Sequence, residues 1–570
     1  APPTLSQPVH PAKRLPTVAV AFVRQHTLTI TAAADVTVTS PAGPCVGPAT
    51  CAAVVDLGAT VTLTAATALL GQAFTWSAAC AGASCPLTVA ADLAVTVGLD
   101  GGRAIWGRAL ARPDTYAQEH GAAVAVAPDG DVVWAGFASG GAALPLGGAP
   151  TPVSTPFLTA FVARYGADGT PRWARAMTTS LLATVRGACV TPSGDVIVGG
   201  EVNGTTTLDG ATVVGVGRND GYVARLDGAT GTAEWMVTIG GSADHPFYGD
   251  GVWAVACLGE DVAALYTVLG PSYRVADGPV VTGAPTFAYG VARLSAAGHY
   301  QWARQVTDVP DGSYNAATAL AADATGVHVV GSYSNVFDPG GGPIAPTFGH
   351  PSGFAVRYRA SDGSPLWTRS IGNNTEQGAG DTGRWARCEV ATVAGDGTLA
   401  IGGYLEGSDG DRANLGALAA PQRVTVRGNA EMFVLRLASV DGAAVGSFAL
   451  GSSAASGDER LGALVAAGAE LVVRGTFTTA AVEVGGRSLA GGGSAGSVDG
   501  FVARLSLAGT ARWAHQLGPF ASQTPTPTAV APTGEVAVAG AYTGDPVTYD
   551  GVDLPASGQG VDGFVMLLGR

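Results

Sequence analysis

The chain reads as all-β: a ring of repeated strand units carried behind a small disulfide-bonded β domain. Three observations predict this. Gly supplies 84 of 570 residues and hydrophobic types 47%, while charged residues make up only 13%. Short strands joined by many tight turns have that profile, and helical proteins do not. No stretch carries the heptads or the 3.6-residue period of a long helix. One segment also recurs along the chain; its clearest copy is FVARYGADGTPRWAR at 161–175, a β-patterned run, an Asp-Gly turn and a second run carrying a Trp. Finally, four of the seven cysteines cluster between residues 45 and 85, ahead of all the repeats.

Residues 1–26 form a Pro-rich extended tail that includes TVAVAF (17–22), a short apolar run readable as a strand. Such a strand could add to the sheet edge of a neighbouring copy. The opening residues APPTLSQPVH look like a mature terminus after signal cleavage, and they lack the Cys that begins a mature lipoprotein.

Residues 27–99 alternate in the β manner through TLTIT, VTVTS, ATVTLTA, AFTWSA and LAVTVGL. Short-range pairing, Cys45 with Cys51 and Cys80 with Cys85, is favoured because each pair brackets a turn rich in Gly, Pro or Ala. Zinc is the rival reading, but neither spacing is of the CxxC kind and no His lies between the pairs. Disulfides imply an oxidising compartment, and so an extracellular or cell-surface location. The segments VTVTSPAGPC (36–45), GATVTLTAA (58–66), FTWSAACAGASC (74–85) and AVTVGL (94–99) resemble the divergent internalin-B-type repeat domain of secreted bacterial proteins. The chain departs from it where TWSA replaces GWSG. The resemblance implies a stalk or adhesion module.

From residue 104 the repeats can be counted. Strands of the FVAR type begin at 161, 222, 290, 354, 433, 501 and 564, a mean period of about 67 residues. A Trp strand occurs at Trp106, Trp173, Trp235, Trp302, Trp367 and Trp513, with Phe448 standing in for the missing copy. A pair of strands around a turn, as in AAVAVAPDGDVVWAGF (122–137), also occurs seven times. Four strands in each of seven units predict a seven-bladed β-propeller over 104–570, an architecture that manages its strand edges by closing on itself. The first element is a lone Trp strand and the last an FVMLL strand without one, so the Trp106 strand should complete the final blade. The AVAPDG-type turn, the VVxAG strand and the FVARL strand are similar to the SBBP propeller repeat of secreted bacterial proteins. LDGATGTAEW (226–235) looks like a quinoprotein repeat, but the other copies lack its Thr-Gly.

Asp-Gly pairs such as Asp129-Gly130 and Asp168-Gly169 suit tight hairpin turns. They lack the carboxylate spacing of a calcium loop. The repeated Trp is expected in the core, its N–H bonded to a carbonyl. Arg164, Arg225, Arg293, Arg357, Arg436 and Arg504 are expected to pair with a repeated acid or with the next blade's backbone. Cys189 and Cys257 read as buried free thiols, with Cys388 just ahead of the next such strand.

Function is less legible. A net charge of −14, with Lys13 the only lysine, argues against nucleic acid as a partner. No apolar run approaches the roughly 18–20 residues of a membrane span. The eight His show no metal-ligand spacing, and there is no GxSxG elbow or P-loop. The chain is therefore expected to be a non-enzyme without cofactor or metal. Its role would be adhesion, scaffolding or self-assembly as a surface or appendage protein, with copies of itself, other surface proteins or glycans as partners. The alternatives are a carbohydrate-binding propeller and a glycan-active enzyme. Long connections at 138–159, 178–187, 240–252, 306–317, 334–353, 370–387 and 405–430 gather on one face, where binding tends to reside. The candidate contacts there are His245, Phe247, Tyr248, Trp253, Tyr314 and Trp385, accompanied by Asp244, Asp250, Asn315 and Asp381.

Overall fold

A computed structural model describes residues 25–570, except for 34, 69–71, 79, 111–118, 140–143, 147–157, 217, 242–248, 283–286, 309–314, 347–350, 373–384, 409, 411, 417–421, 428, 452–458, 492–497, 519–526, 544–545 and 557–559. The tail and its TVAVAF run lie outside the described residues. Every regular element among the described residues is a strand, and no helix is long and apolar enough to cross a membrane. The chain divides into two compact units that meet in sequence at Leu99 and Asp100.

The first unit has two four-stranded sheets. One runs Ala49–Asp56, Gln25–Ala32, Leu93–Asp100, Ala73–Trp76; the other Gly43–Val46, Thr37–Ser40, Thr60–Ala66, Ser84–Thr88. Alternation decides which face is inward: along TVTLTAA the residues Val61, Leu63 and Ala65 are buried and the threonines exposed. These meet Leu28, Ile30, Val38, Val95 and Val97 in one core. Cys45–Cys51 and Cys80–Cys85 are disulfides, as the turn spacing predicts.

The second unit repeats one sheet plan. Four strands lie side by side in chain order, for example Glu119–Val126, Val132–Ala138, Thr159–Tyr165 and Pro171–Ala176. Seven such sheets occur among the described residues, named here sheets 1 to 7. In the last, Thr528–Val530, Val536–Thr543 and Val561–Leu568 are completed by Ala104–Leu110, with Leu567 opposite Trp106. First strands pack against first strands from each sheet to the next, and Thr528–Val530 of sheet 7 packs against Glu119–Val126 of sheet 1. Second and third strands, such as VVWAGFA and TAFVARY, are buried almost throughout, which explains their near-continuous apolar sequence.

The repeated Arg and Trp act together. Arg164 and Trp173 sit opposite each other on the third and fourth strands of sheet 1. Both donate to one carbonyl of sheet 2, Gly228 O, at 2.8 Å each. Ala296 O receives Arg225 and Trp235, and Ala360 O receives Arg293 and Trp302. Ser439 O receives Arg357 and Trp367. Each Arg also reaches an acid at its own sheet's first turn: Asp131 for Arg164, Asp195 for Arg225, Asp261 for Arg293, Asp323 for Arg357, Asp396 for Arg436 and Glu470 for Arg504. Both expected partners of the arginines are therefore present.

Three expectations need correction. Cys189 and Cys257 are bonded to each other, joining the first strands Leu182–Val190 and Gly251–Leu258. Their separation of 68 residues is one repeat, which puts them on adjacent strands; Cys388 alone is a buried free thiol. Phe448 does not stand in the Trp register, because Gly446 lies opposite Arg436 and Phe448 opposite Val434. Of the long connections, 405–430 is less irregular than expected, and four stretches outside the expected ranges also fold back on themselves. Hairpins Thr205–Leu208/Ala211–Val214, Ser272–Val275/Val280–Thr282, Arg412–Asn414/Arg423–Thr425, Ala481–Val484/Arg487–Ala490 and Val547–Tyr549/Val552–Leu554 lie between second and third strands.

Candidate functional site

The first strands of sheets 1 to 6 carry an irregularity that the sequence period hides. Pairing with the second strand skips one residue at Ala122, Arg186, Trp253, Thr318, Glu389 and Gly462 in sheets 1 to 6. Each is a β-bulge, a device that re-aims a side chain and often sits beside a site. All six lie near the start of the first strand, at the end of the sheets where the long connections gather.

Three bulge residues are large or charged, and they organise two clusters. In the first, the Arg186 guanidinium lies 5.0 Å from the Trp253 ring centre and 6.0 Å from that of Phe137. Phe137 in turn stacks on His120 at 4.9 Å. Glu201 Oε1 is 3.7 Å from Arg186 Nη2. Burial raises the Glu201 carboxyl above its ordinary value against the opposing pull of Arg186. Burial, helped by the Arg186 charge, lowers His120. Trp253 remains 40% exposed, its indole N–H donating to Thr267 Oγ1 at 2.9 Å.

The second cluster repeats the chemistry at sheets 5 and 6. Arg387 lies 5.1 Å from the Trp385 ring centre, and Arg460 lies 5.4 Å from that of Tyr404. Glu389 is raised by burial, with Arg387 and Arg460 opposing the shift. Each cluster thus offers a guanidinium donor, aromatic surface and one carboxyl whose proton affinity burial raises.

Of the expected contacts, Trp253 and Trp385 belong to these clusters. His245, Phe247, Tyr248 and Tyr314 lie outside the described residues, as do Asp244 and Asp381. Asp250 and Asn315 are buried and hold backbone: Asp250 accepts from Gly241 N and Leu269 N, Asn315 from Ser334 N. Arg186 and Glu389 carry no sequence signal because a bulge leaves no mark in apolar periodicity, and Glu201 and Arg387 sit in regular register beside them, where only the fold makes them neighbours. Asp195, Asp227 and Glu234 also come together. Arg225 supplies the cation there, at 2.6 Å from Asp195 and 2.9 Å from Glu234.

Strand plan and ring contacts define an all-β protein of propeller type. No family model and no curated protein matches the chain. Solved structures do. Two quinohemoprotein alcohol dehydrogenases are similar: that of Pseudomonas putida HK5 at 12% identity and TM-score 0.34, with 81% of this chain and 75% of that one covered, and that of Comamonas testosteroni at 11% and 0.35, covering 82% and 76%. A europium-containing methanol dehydrogenase aligns at 11% identity and TM-score 0.32, covering 74% of this chain and 81% of that one. At TM-scores of 0.32–0.35 the likeness carries no argument about this chain. The expectation of a non-enzyme is corrected at this point: these three proteins are dehydrogenases, and a ring of sheets without a linear catalytic motif excludes no activity.

Proposed function

We propose that the chain is a secreted binding protein of the adhesion type, and that the bulge clusters bind a saccharide. One observation carries this reading: Trp253 stays 40% exposed on a bulge while Arg186 and Glu201 stand beside it. A sugar ring presents apolar C–H faces and a rim of hydroxyls. It is matched by an aromatic surface flanked by a fixed donor and acceptor. The Trp385, Arg387 and Glu389 group supplies a second set of the same kind. Three disulfides and no membrane-spanning helix fit an oxidising, extracellular setting.

The test is a glycan array followed by calorimetry on the full chain. A bound oligosaccharide should lose at least about tenfold in affinity, roughly 1.4 kcal/mol, on Trp253→Ala or Arg186→Met. Binding that ignores Trp253→Ala, Arg186→Met and Trp385→Ala alike, or no binding to any glycan, would remove this reading.

A further inference from the structure

Where each first strand begins, a second set of residues repeats. The position two residues before the start of each FVAR-type run (Phe161, Tyr222, Gly290, Phe354, Phe433, Phe501 and Phe564) lies at the junction with the next sheet. The position three residues before each bulge lies across that junction. Their identities are correlated. Asp220 goes with Asp250 between sheets 2 and 3, Glu431 with Glu459 between 5 and 6, and Asp562 with Glu119 between 7 and 1. At three other junctions both positions are neutral: Thr159 with Ala183, Ala288 with Asn315, and Ser352 with Ala386. The seventh junction has Asp499 and a position outside the described residues. At three junctions acids therefore come in twos, and these six are at most 2% exposed.

A lone carboxylate that merely capped backbone would have no need of a second. The geometry explains the pairing. A methyl group on Gly240 would lie 1.9 Å from Asp220 Oδ1 and 2.8 Å from Asp250 Oδ2, so these two oxygens flank one narrow space. Gly451 stands the same way between Glu459 Oε2 at 2.6 Å and Glu431 Oε1 at 3.1 Å. The two other oxygens are engaged, Asp220 Oδ2 by Val216 N–H and Asp250 Oδ1 by Leu269 N–H at 2.6 Å, and Asp250 Oδ2 itself also accepts from Gly241 N at 2.7 Å, which leaves it one lone pair for the space beside Gly240.

We propose that Asp220 and Asp250 hold one proton between them and that this shared proton fastens sheet 2 to sheet 3. Two buried carboxylates that border one space of methyl size cannot both ionise without a large electrostatic cost, whereas an acid and a carboxylate can share a hydrogen bond across it. Burial raises Asp220 to about 6; burial, with a smaller push from the Asp220 charge, raises Asp250 to about 7. The charged groups around the pair are of both signs. Glu201 packs on Gly251 and is another acid, while Arg186 beyond it sits on Glu201. Arg218 lies on the chain leading to Asp220, and Arg274 is on the hairpin strand beside Gly240. The Glu431–Glu459 pair differs in carrying its own cation, with Arg427 Nη2 at 2.6 Å from Glu431.

The sign follows from the direction of the shift. A carboxyl with a raised folded-state pKa stabilises most below its unfolded value near 4, and the contribution is lost as pH rises through about 6 to 7. The experiment is thermal unfolding of the full chain from about pH 5 to 9, for the unchanged protein and for Asp220→Asn, whose amide can donate to Asp250 at any pH. The expected result is an unfolding temperature that falls between about pH 5 and 7 and then levels off in the unchanged protein, a flatter profile in the variant, and a variant more stable above about pH 8. Parallel profiles would overturn the proposal. So would calcium at millimolar concentration stabilising the unchanged protein but not Asp220→Asn, since the pair would then hold a cation. If the variant does not fold, carboxyl-carbon NMR of the unchanged protein decides. An Asp signal titrating between about pH 6 and 7 supports the shared proton, and complete ionisation of every Asp by about pH 5 excludes it.

Discussion

The Trp173 ring lies against Gly231 of the next sheet so closely that a methyl group on that glycine would be 2.6 Å from two ring carbons. Gly231 also has φ of +74°, a conformation side chains disfavour. The same contact joins Trp106 to Gly169, Trp235 to Gly298, Trp302 to Gly363 and Trp367 to Gly442, each glycine with positive φ. The turn glycine and the strand Trp therefore belong to neighbouring sheets and form one joint, closed by the indole N–H on a carbonyl of the same turn.

That joint gives a graded prediction. Gly194 has φ of +95° with nothing near its missing methyl, so Gly194→Ala carries backbone strain alone, about 1–2 kcal/mol. Gly231→Ala adds the collision with Trp173, about 1–3 kcal/mol more. Chemical denaturation of the two variants should place Gly231→Ala clearly below Gly194→Ala. Equal losses would mean the indole shifts without cost and the contact is slack.

The last sheet uses the same joint, divided between two distant stretches of chain. Gly102 N donates to Gly569 O at 3.0 Å and Gly569 N to Arg103 O at 2.8 Å, the bonds that Gly169 and Gly166 make within one turn of sheet 1. Gly102, φ +79°, lies under Trp513 as Gly231 lies under Trp173. On the other side Trp106 Nε1 donates to Ala167 O at 2.9 Å. Trp106→Ala should therefore loosen sheet 7 first. Hydrogen exchange should accelerate in Val561–Leu568 well before Phe287–Leu294, reporting a local opening. Uniform acceleration across both strands would show instead that the ring melts as one unit.

How far the sequence carried the structure depends on what leaves a periodic trace. Arg164 and Trp173 recur at fixed offsets from an Asp-Gly turn, so their strands, their burial and their bonds were readable before any coordinates. Arg186 and Glu389 were not, because a bulge shifts one residue without altering the apolar run around it. Asp220 and Asp250 lie 30 positions apart, and only the folded junction makes them neighbours. Phe448 shows the opposite error: its place in the repeat suggested a Trp substitute, yet its register is displaced by two. It still covers Gly509, with a ring carbon 2.5 Å from where a methyl would be.

The Cys189–Cys257 bridge offers a last test, independent of any ligand. It joins the first strands of sheets 2 and 3, the two sheets that Asp220 and Asp250 also join. It closes a loop of 68 residues, and cross-links of that kind typically contribute about 2–4 kcal/mol by restricting the unfolded chain. Replacing both cysteines with Ala avoids leaving a reactive thiol, and the variant should lose stability of that order in chemical denaturation. Reductant would also open Cys45–Cys51 and Cys80–Cys85. The informative comparison is therefore the double variant against the unchanged protein, each with and without reductant. The difference between the two proteins should nearly vanish under reduction. A difference that survives reduction intact would assign the loss to packing at these two positions rather than to the bond.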